Sequence, residues 1–416
     1  MEFAEFVDDL HGRYGAEAAG VRHEVFFTHR RRSRPGPRLR AALAALRDAA
    51  QCLCLPARLP KPGHVVAIAS RAGSSGLGAL RPFMDDLDKR GIGYRLIVHP
   101  RLSRSMVAGS PGRPPLRAWS HALKAFSMAF ARPDEQAFVV RCCLFRLRLW
   151  QGAWSRALAG EECGSLILHN DFELFCVAAL RAGDGRWRGI CIQHGLPTDE
   201  FFPTLAPRQI VWGDSSRRAY IARGTPPEAL GFGPARVQPP RSAQTTPIAI
   251  RLVSQTHTPV FGRSLANDFL TLAQRIADRT RPPSSFAILL HPEEARLGHP
   301  YASSRLAGLC RPPPHPEFEA EMKASSILVG FCSTALIEAA RRGHLVIGMN
   351  WNVAASQAAL SVGRPATVAD DADQLCDMLD RLACDPAEHG RMLRLQDQWL
   401  ARSFAHGTDW LERDPA

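Results

Sequence analysis

The sequence is short of lysine, of long apolar runs and of paired metal-ligand motifs, and each shortage narrows what the chain can be. Only four of its 52 basic residues are lysines: Lys61, Lys89, Lys124 and Lys323. That arginine excess, together with abundant alanine and proline, reads as the coding bias of a GC-rich genome rather than as chemistry. No apolar run approaches the roughly 18 to 20 residues that cross a bilayer, so no transmembrane segment is expected. The opening MEFAEFVDDLHGRYG is acidic and has no apolar stretch of signal-peptide type, so a cytoplasmic location is expected. The eleven cysteines are odd in number. The close pairs Cys52/Cys54 and Cys142/Cys143 have no matching second pair at zinc-site spacing, while Cys163, Cys176, Cys191 and Cys332 sit inside apolar runs. Buried reduced thiols are expected, and no metal.

What is present describes a globular protein with sizeable cores: 45% of residues are hydrophobic and 22% charged. At 416 residues the chain is long for one domain, since domains run to roughly 150 residues. The formal charge of +12 favours anionic partners. The densest basic run, from His29 through Arg40, carries no interleaved aromatics. It suits a solvated or anionic-membrane-facing patch better than a base-stacking surface, so nucleic acid is not an expected partner.

Short apolar runs alternate with amphipathic stretches along the whole chain, the pattern of parallel α/β units. Strands are expected at His64–Ala69, Tyr94–Val98, Ser165–Leu168, Gly189–Ile192 and Gln209–Trp212. After the Pro/Ser/Thr-rich stretch Gly233–Pro247, further strands are expected at Ile248–Val253, Phe286–Leu290, Ser326–Val329 and Leu345–Met349. Helices fall between them, one of them near Cys143–Leu158, and the first 60 residues read as helical with a Pro/Arg-rich interruption. The expected organisation is an N-terminal Rossmann-like domain over 1–238, a linker over 239–247, and a C-terminal Rossmann-like domain over 248–416. A cleft between two such doubly wound domains is a natural seat for an enclosed substrate.

Open parallel sheets bind ligands beyond the carboxyl ends of their strands, and the polar residues of this chain collect there. The strand ends read Ser70 through Gly78, His169-Asn170-Asp171, Gln193-His194-Gly195, Ser254-Gln255-Thr256-His257, His291-Pro292-Glu293-Glu294 and Cys332-Ser333-Thr334. Ser333 or Thr334 stands where the cap of the following helix belongs. A phosphate is favoured there by free backbone N–H groups and the positive end of the helix dipole; a plain cap is the bland alternative. Glu338, not at the third position after either cap, is free to meet a ribose diol. Pro292 holds His291 in an extended conformation, ready to donate to a phosphate. Gly73, Ser74 and Gly76 form a glycine-rich turn that allows close approach of a ligand. Their spacing fits neither a dinucleotide fingerprint nor a P-loop.

His291-Pro292 followed by Ser333-Thr334 resembles the HP and SS/ST motifs of bacterial GT-B sialyltransferases and polysialyltransferases. The segments SLILHNDFELFCVAALRA, GICIQHG, IVWGDSSRRAYIARG and ILVGFCSTALIEAARRGHLVIGMN are similar to capsule and lipopolysaccharide transferases, including Kdo transferases, and to CDP-glycerol glycerophosphotransferases. The likeness runs over about Val65–Met349. It implies a GT-B fold and transfer of a sugar from a CMP- or UDP-linked donor to a glycan or lipid-linked acceptor. No metal or other cofactor is implied, and the enzyme would work at the inner face of the cytoplasmic membrane. His291, Pro292, Ser333, Thr334 and Glu338 would hold the donor, with Gln255, His257, Gly73, Ser74 and Gly76 in support. The acidic tripeptide that supplies the base in such sialyltransferases is missing, Asp184-Gly185 being the nearest approach. The base is therefore sought among His194, Asp171, Asp199 and Glu200. Two other readings remain: a nucleotide-sugar enzyme of the UDP-GlcNAc 2-epimerase type, and a non-catalytic nucleotide- or nucleic-acid-binding protein.

Overall fold

A computed structural model describes residues 3–30, 36–55, 65–71, 76–102, 115–130, 134–159, 164–234, 248–255, 264–282, 284–315, 326–351, 357–407 and 410–411. The linker expected at 239–247 and residues 31–35 of the basic run lie outside them. The chain forms two compact units, each built on a six-stranded parallel sheet flanked by helices. This is the two-domain, doubly wound α/β class expected from the sequence.

The sheet of the first unit contains β1 (Val65–Ala69), β2 (Tyr94–Val98), β3 (Gly164–Leu168), β4 (Trp187–Ile192), β5 (Arg208–Val211) and β6 (Leu230–Phe232), in the order β2-β1-β3-β4-β5-β6. Central strands of such a sheet are covered on both faces and read as unbroken apolar runs; β1, VVAIA, is buried along its whole length. The pleat divides it between two cores. Val66 and Ile68 join Leu166 and Leu168 under a helical layer, while Val65 and Ala69 join Ile167, Ile190 and Phe83 on the other face.

That helical layer is organised around Glu135–Ala157, a helix that starts well before the expected Cys143. Asp134 caps it, accepting from the backbone N–H groups of Gln136 at 3.0 Å and Ala137 at 3.3 Å. Within the layer Arg146 is buried against Asp48 at 2.7 Å and Glu24 at 3.1 Å, and the Trp150 indole donates to the same Asp48 carboxylate.

The second unit contains β7 (Ala249–Val253), β8 (Ser285–Leu289), β9 (Cys310–Arg311), β10 (Ser326–Gly330), β11 (Leu345–Met349) and β12 (Val368–Ala369), in the order β12-β11-β10-β7-β8-β9. Its inner strands β10 and β11 are again buried throughout. Chain and unit do not divide at a single cut. Residues 212–222, with the helix Asp214–Ala222, belong to the second unit, and residues 406–416 return to the first. There Trp410 packs edge-on against Phe83, with ring centroids 5.0 Å apart, and donates to Asp86 at 2.9 Å.

Cys176, Cys191 and Cys332 are buried free thiols, as expected, and Cys163 lies outside the described residues. Among the described residues no helix is long and apolar enough to cross a membrane.

Candidate functional site

Where neighbouring strands of a parallel sheet lead off in opposite directions, a crevice opens beyond their carboxyl ends. In the first unit that place lies between β1 and β3, because β2 is on one side and β4 to β6 on the other. The register pairs Ile68 with Leu168, which brings Ser70 and Arg71 level with the segment from His169 to Glu173. Glu173 is the centre of charge. It accepts from Ser70 Oγ and Arg71 Nε, and Arg101 stands 3.9 Å from it. Burial would raise its pKa; Arg71, His23, His169 and the Ser70 hydroxyl outweigh that and hold it well below the usual carboxylate range.

His169 is fully buried. Its Nδ1 faces the Ile68 carbonyl at 3.4 Å and its Nε2 meets the Asn170 amide nitrogen at 2.7 Å. These partners assign the Nδ1–H tautomer. Burial pushes its pKa down to about 4, with Arg71 adding to the shift, so the ring is neutral and serves as a spacer.

His194, which follows β4, is a second buried imidazole beside it. It stacks on Phe201 at 4.9 Å and 16°, and the rings of His169 and Phe172 stand 5.6 and 5.8 Å away. It is 8% exposed, and its Nδ1 has no hydrogen-bond partner among the described residues. Burial, with neighbouring His169 and the Arg71 guanidinium adding to the shift, pushes its pKa down to about 3. The ring is therefore neutral at neutral pH, with its Nδ1 buried and without a hydrogen-bond partner among the described residues.

Glu200 lies in the short turn Asp199–Phe201 that also carries the stacking ring. Its carboxylate is 3.4 Å from His23 Nε2, and His23 packs against Phe172 at 4.9 Å. Burial opposes ionisation of Glu200, but the His23 hydrogen bond and the charges of His23 and Arg71 lower its pKa. Asp199 is paired with Arg223 at 2.8 Å. Asp171, the remaining candidate base, is committed elsewhere. Its Oδ2 accepts from the backbone N–H groups of Leu205 at 2.5 Å and Ala206 at 3.0 Å, and from Gln209 at 2.9 Å. Burial raises its pKa against the pull of Arg22 and those hydrogen bonds. An oxygen that already holds three donors anchors the loop before β5 and is poorly placed to take a proton from a substrate.

Of the glycine-rich turn, Gly73 and Ser74 lie outside the described residues. Gly76 closes the turn, and a Cβ there would collide with the Arg71 carbonyl, which accepts from the Leu77 N–H at 3.3 Å. Its smallness is thus accounted for by the backbone alone.

In the second unit the equivalent crevice lies between β7 and β10, where Val253 pairs with Gly330. Ser254 is buried, bonded to Glu294 at 2.9 Å and to the Tyr301 hydroxyl at 2.8 Å. Beside it Gln255 is buried with its amide nitrogen unpartnered among the described residues; His257 lies outside them. Across the crevice Cys332 adopts the left-handed φ of 35°, turning the chain from β10 into the helix Thr334–Arg341. Ser333 is its cap, accepting from the Ala335 N–H at 3.2 Å. Thr334 is the first helical residue, and Thr334 and Glu338 are both half-buried.

His291 caps the next helix, Pro292–Leu297. Its Nδ1 accepts from the Glu293 N–H at 3.1 Å, and Glu294 returns a bond to the His291 N–H at 2.9 Å. Pro292 is the first helical residue, where its missing N–H costs nothing. Acceptance at Nδ1 places the proton of the neutral ring on Nε2, so the exposed edge of His291 is a hydrogen-bond donor.

The structure therefore gathers Ser254, Gln255 and the turn 331–334 at one crevice, with His291 at the end of the neighbouring strand β8. It brings His194 and Glu200 around Phe172 in the other unit. Sequence reading missed His23, Arg71 and Glu173. Arg71 stood in the strand-end segment Ser70 through Gly78, and Glu173 lies two residues beyond the marked His169-Asn170-Asp171. His23 had no such signal, since it sits on an amphipathic helix that meets Glu200 only in three dimensions. Among the described residues no group of His, Cys, Asp or Glu is arranged to hold a metal.

No protein-family model matches the chain, and no curated protein matches it in sequence. Several solved structures are similar in backbone. The glycosyltransferase of kitacinnamycin is 12% identical, with a TM-score of 0.47 over 83% of this chain and 97% of that one. S. aureus MnaA with UDP is 11% identical, with a TM-score of 0.47 over 83% and 93%. A UDP-glucosyltransferase from Polygonum tinctorium is 13% identical, with a TM-score of 0.45 over 84% and 96%. At such scores the fold is read from this chain's own strand order and register, and the activity from its own residues.

Proposed function

We propose that the protein is a glycosyltransferase of the GT-B kind. Its second unit takes a nucleotide-sugar donor, CMP- or UDP-linked, and its first unit takes the hydroxyl of a surface-polysaccharide or glycolipid acceptor. The observation that carries this reading is the crevice between β7 and β10. There the Ser333-capped start of the helix Thr334–Arg341 and a buried Gln255, whose amide nitrogen lacks a partner among the described residues, follow the neighbouring strands β10 and β7. A buried unpaired donor costs about 1 to 3 kcal/mol, a cost that a ligand acceptor relieves. Backbone N–H groups at the start of the helix suit the phosphate, and His291 Nε2 offers a further donor.

In the reaction the acceptor oxygen attacks the anomeric carbon and the bond to the nucleotide phosphate breaks. Negative charge grows on the leaving phosphate, where fixed donors stabilise it most as the transition state forms. The acceptor proton goes to His194 or to Glu200. His194 is unprotonated, as an imidazole base must be. Glu200 is ionised and oriented by His23.

The test of the donor site is the double variant Ser333→Ala, Thr334→Ala, titrated with CMP, UDP and their sugar conjugates. Its dissociation constant should rise about tenfold or more, roughly 1.4 kcal/mol, with the thermal midpoint kept. A variant that binds every nucleotide as the wild type does removes the phosphate site.

A further inference from the structure

The helix Pro37–Gln51 is packed inside out. Its buried residues are Ala41, Ala45 and Asp48, while Leu39, Leu43 and Leu46 are 53%, 51% and 63% exposed. At about 100° per residue, positions 39, 43 and 46 fall within a sector of roughly 60°, with Ala50 in line. A helix that only had to cover a core would turn its leucines inward, because a buried leucine side chain stabilises a fold far more than a buried alanine. Here Asp48 faces inward to meet Arg146, and that contact sets the rotation that leaves the leucines outside.

Arginines border this stripe. Arg38, Arg40 and Arg47 lie on the same helix, and Arg30, Arg31, Arg32 and Arg34 directly precede it in the sequence. No acidic residue occurs from Val25 to Arg47. Of the acids that adjoin the run, Glu24 and Asp48 meet Arg146, Asp48 also standing 3.6 Å from Arg47, and Glu135 stands 4.0 Å from His29. A second copy of the chain is a poor occupant. A two-fold interface would set this patch against itself, arginine against arginine, with the nearest acid of the helix, Asp48, buried beneath it. An anionic bilayer supplies both needs at once, headgroup phosphates for the arginines and an acyl boundary for the leucines.

We propose that the exposed face of the helix Pro37–Gln51 docks on an anionic lipid surface, with Leu39, Leu43 and Leu46 inserted at the level of the headgroup and acyl boundary and the arginines of the same helix toward the phosphates. The claim concerns a surface apart from the strand-end residues, so it stands or falls separately from the transferase reading.

The test is sedimentation of the full-length protein with vesicles of phosphatidylcholine alone and with phosphatidylglycerol added, alongside the triple variant Leu39→Ser, Leu43→Ser, Leu46→Ser. The wild type should pellet with the phosphatidylglycerol vesicles and stay in solution with phosphatidylcholine alone. The triple variant should lose about tenfold or more in partitioning while keeping its circular dichroism and thermal midpoint, because the replaced side chains face outward. The single variant Leu46→Ser, milder still, should show a partial loss. Equal pelleting of wild type and triple variant overturns the insertion, as does equal binding to both kinds of vesicle or none at all. A wild-type dimer that the triple variant converts to monomer would assign the face to a second copy and overturn the proposal likewise.

Discussion

Acidification should unfold the first unit before its carboxylates titrate. His99, His169 and His194 are all buried there, with pKa values pushed down by burial to about 4, about 4 and about 3. In the unfolded chain each returns to about 6.5. Below that value the unfolded state takes up protons that the native state refuses. The stability tied to these rings is therefore complete above about pH 6.5 and is lost as pH falls toward 4.

At about pH 5 each ring accounts for a loss of about 2 kcal/mol, and the three together for about 5 to 6 kcal/mol. That is comparable with the whole stability of an ordinary domain. Since 1 kcal/mol shifts the midpoint of a domain of this size by about 2 to 4 °C, the drop from pH 7 to 5 should be about 10 to 20 °C. Trp150 and Trp154 are both buried in this unit's core, so tryptophan fluorescence through thermal melts reports it. His194→Gln should remove about a third of the pH dependence. A midpoint that moves by less than about 3 °C between those pH values, against the shift expected from linkage, refutes the argument that these rings are held neutral.

Three substitutions separate chemistry from architecture. His194→Ala should cut turnover about a hundredfold, roughly 2.7 kcal/mol in the transition state, while nucleotide affinity stays within about threefold; near-normal turnover moves the base to Glu200. Glu200→Gln should then be the variant that loses turnover, with the acid limb of its pH–rate profile displaced, as steady-state kinetics across pH would show. Asp171→Ala strands the Leu205 and Ala206 N–H groups and the Gln209 amide. It should cost about 2 to 4 kcal/mol of stability in denaturant titration, and a fully stable but inactive variant would show that Asp171 belongs to the chemistry.

The inner strands were legible because buried parallel strands must be apolar throughout. Leu345–Met349 lies where its apolar run stands, and so does the five-residue edge strand Tyr94–Val98. Leu230–Phe232, Cys310–Arg311 and Val368–Ala369 were not, since a two- or three-residue edge strand carries no period to read. The helix Glu135–Ala157 was expected eight residues late, although Asp134 is an ordinary capping residue; the preceding Pro133 and a weakly periodic start concealed it. Ser333 as a cap and the strand-end position of His194 followed from local pattern. The commitment of Asp171 to Leu205 and Ala206, and the pairing of His23 with Glu200, depend on contacts between distant segments. So does the return of Trp410 to the first unit. None of these leaves a local mark in the sequence.

The central claim is that a nucleotide is held at the crevice between β7 and β10, and amide hydrogen exchange with and without UDP or CMP tests it most directly. Bound nucleotide should slow exchange at Ser254, Gln255 and the turn and first helical residues from Phe331 to Leu336, and leave Ser70, Arg71 and the segment from His169 to Glu173 unchanged. Protection confined to that second group, or absent from the chain at saturating nucleotide, would contradict the account.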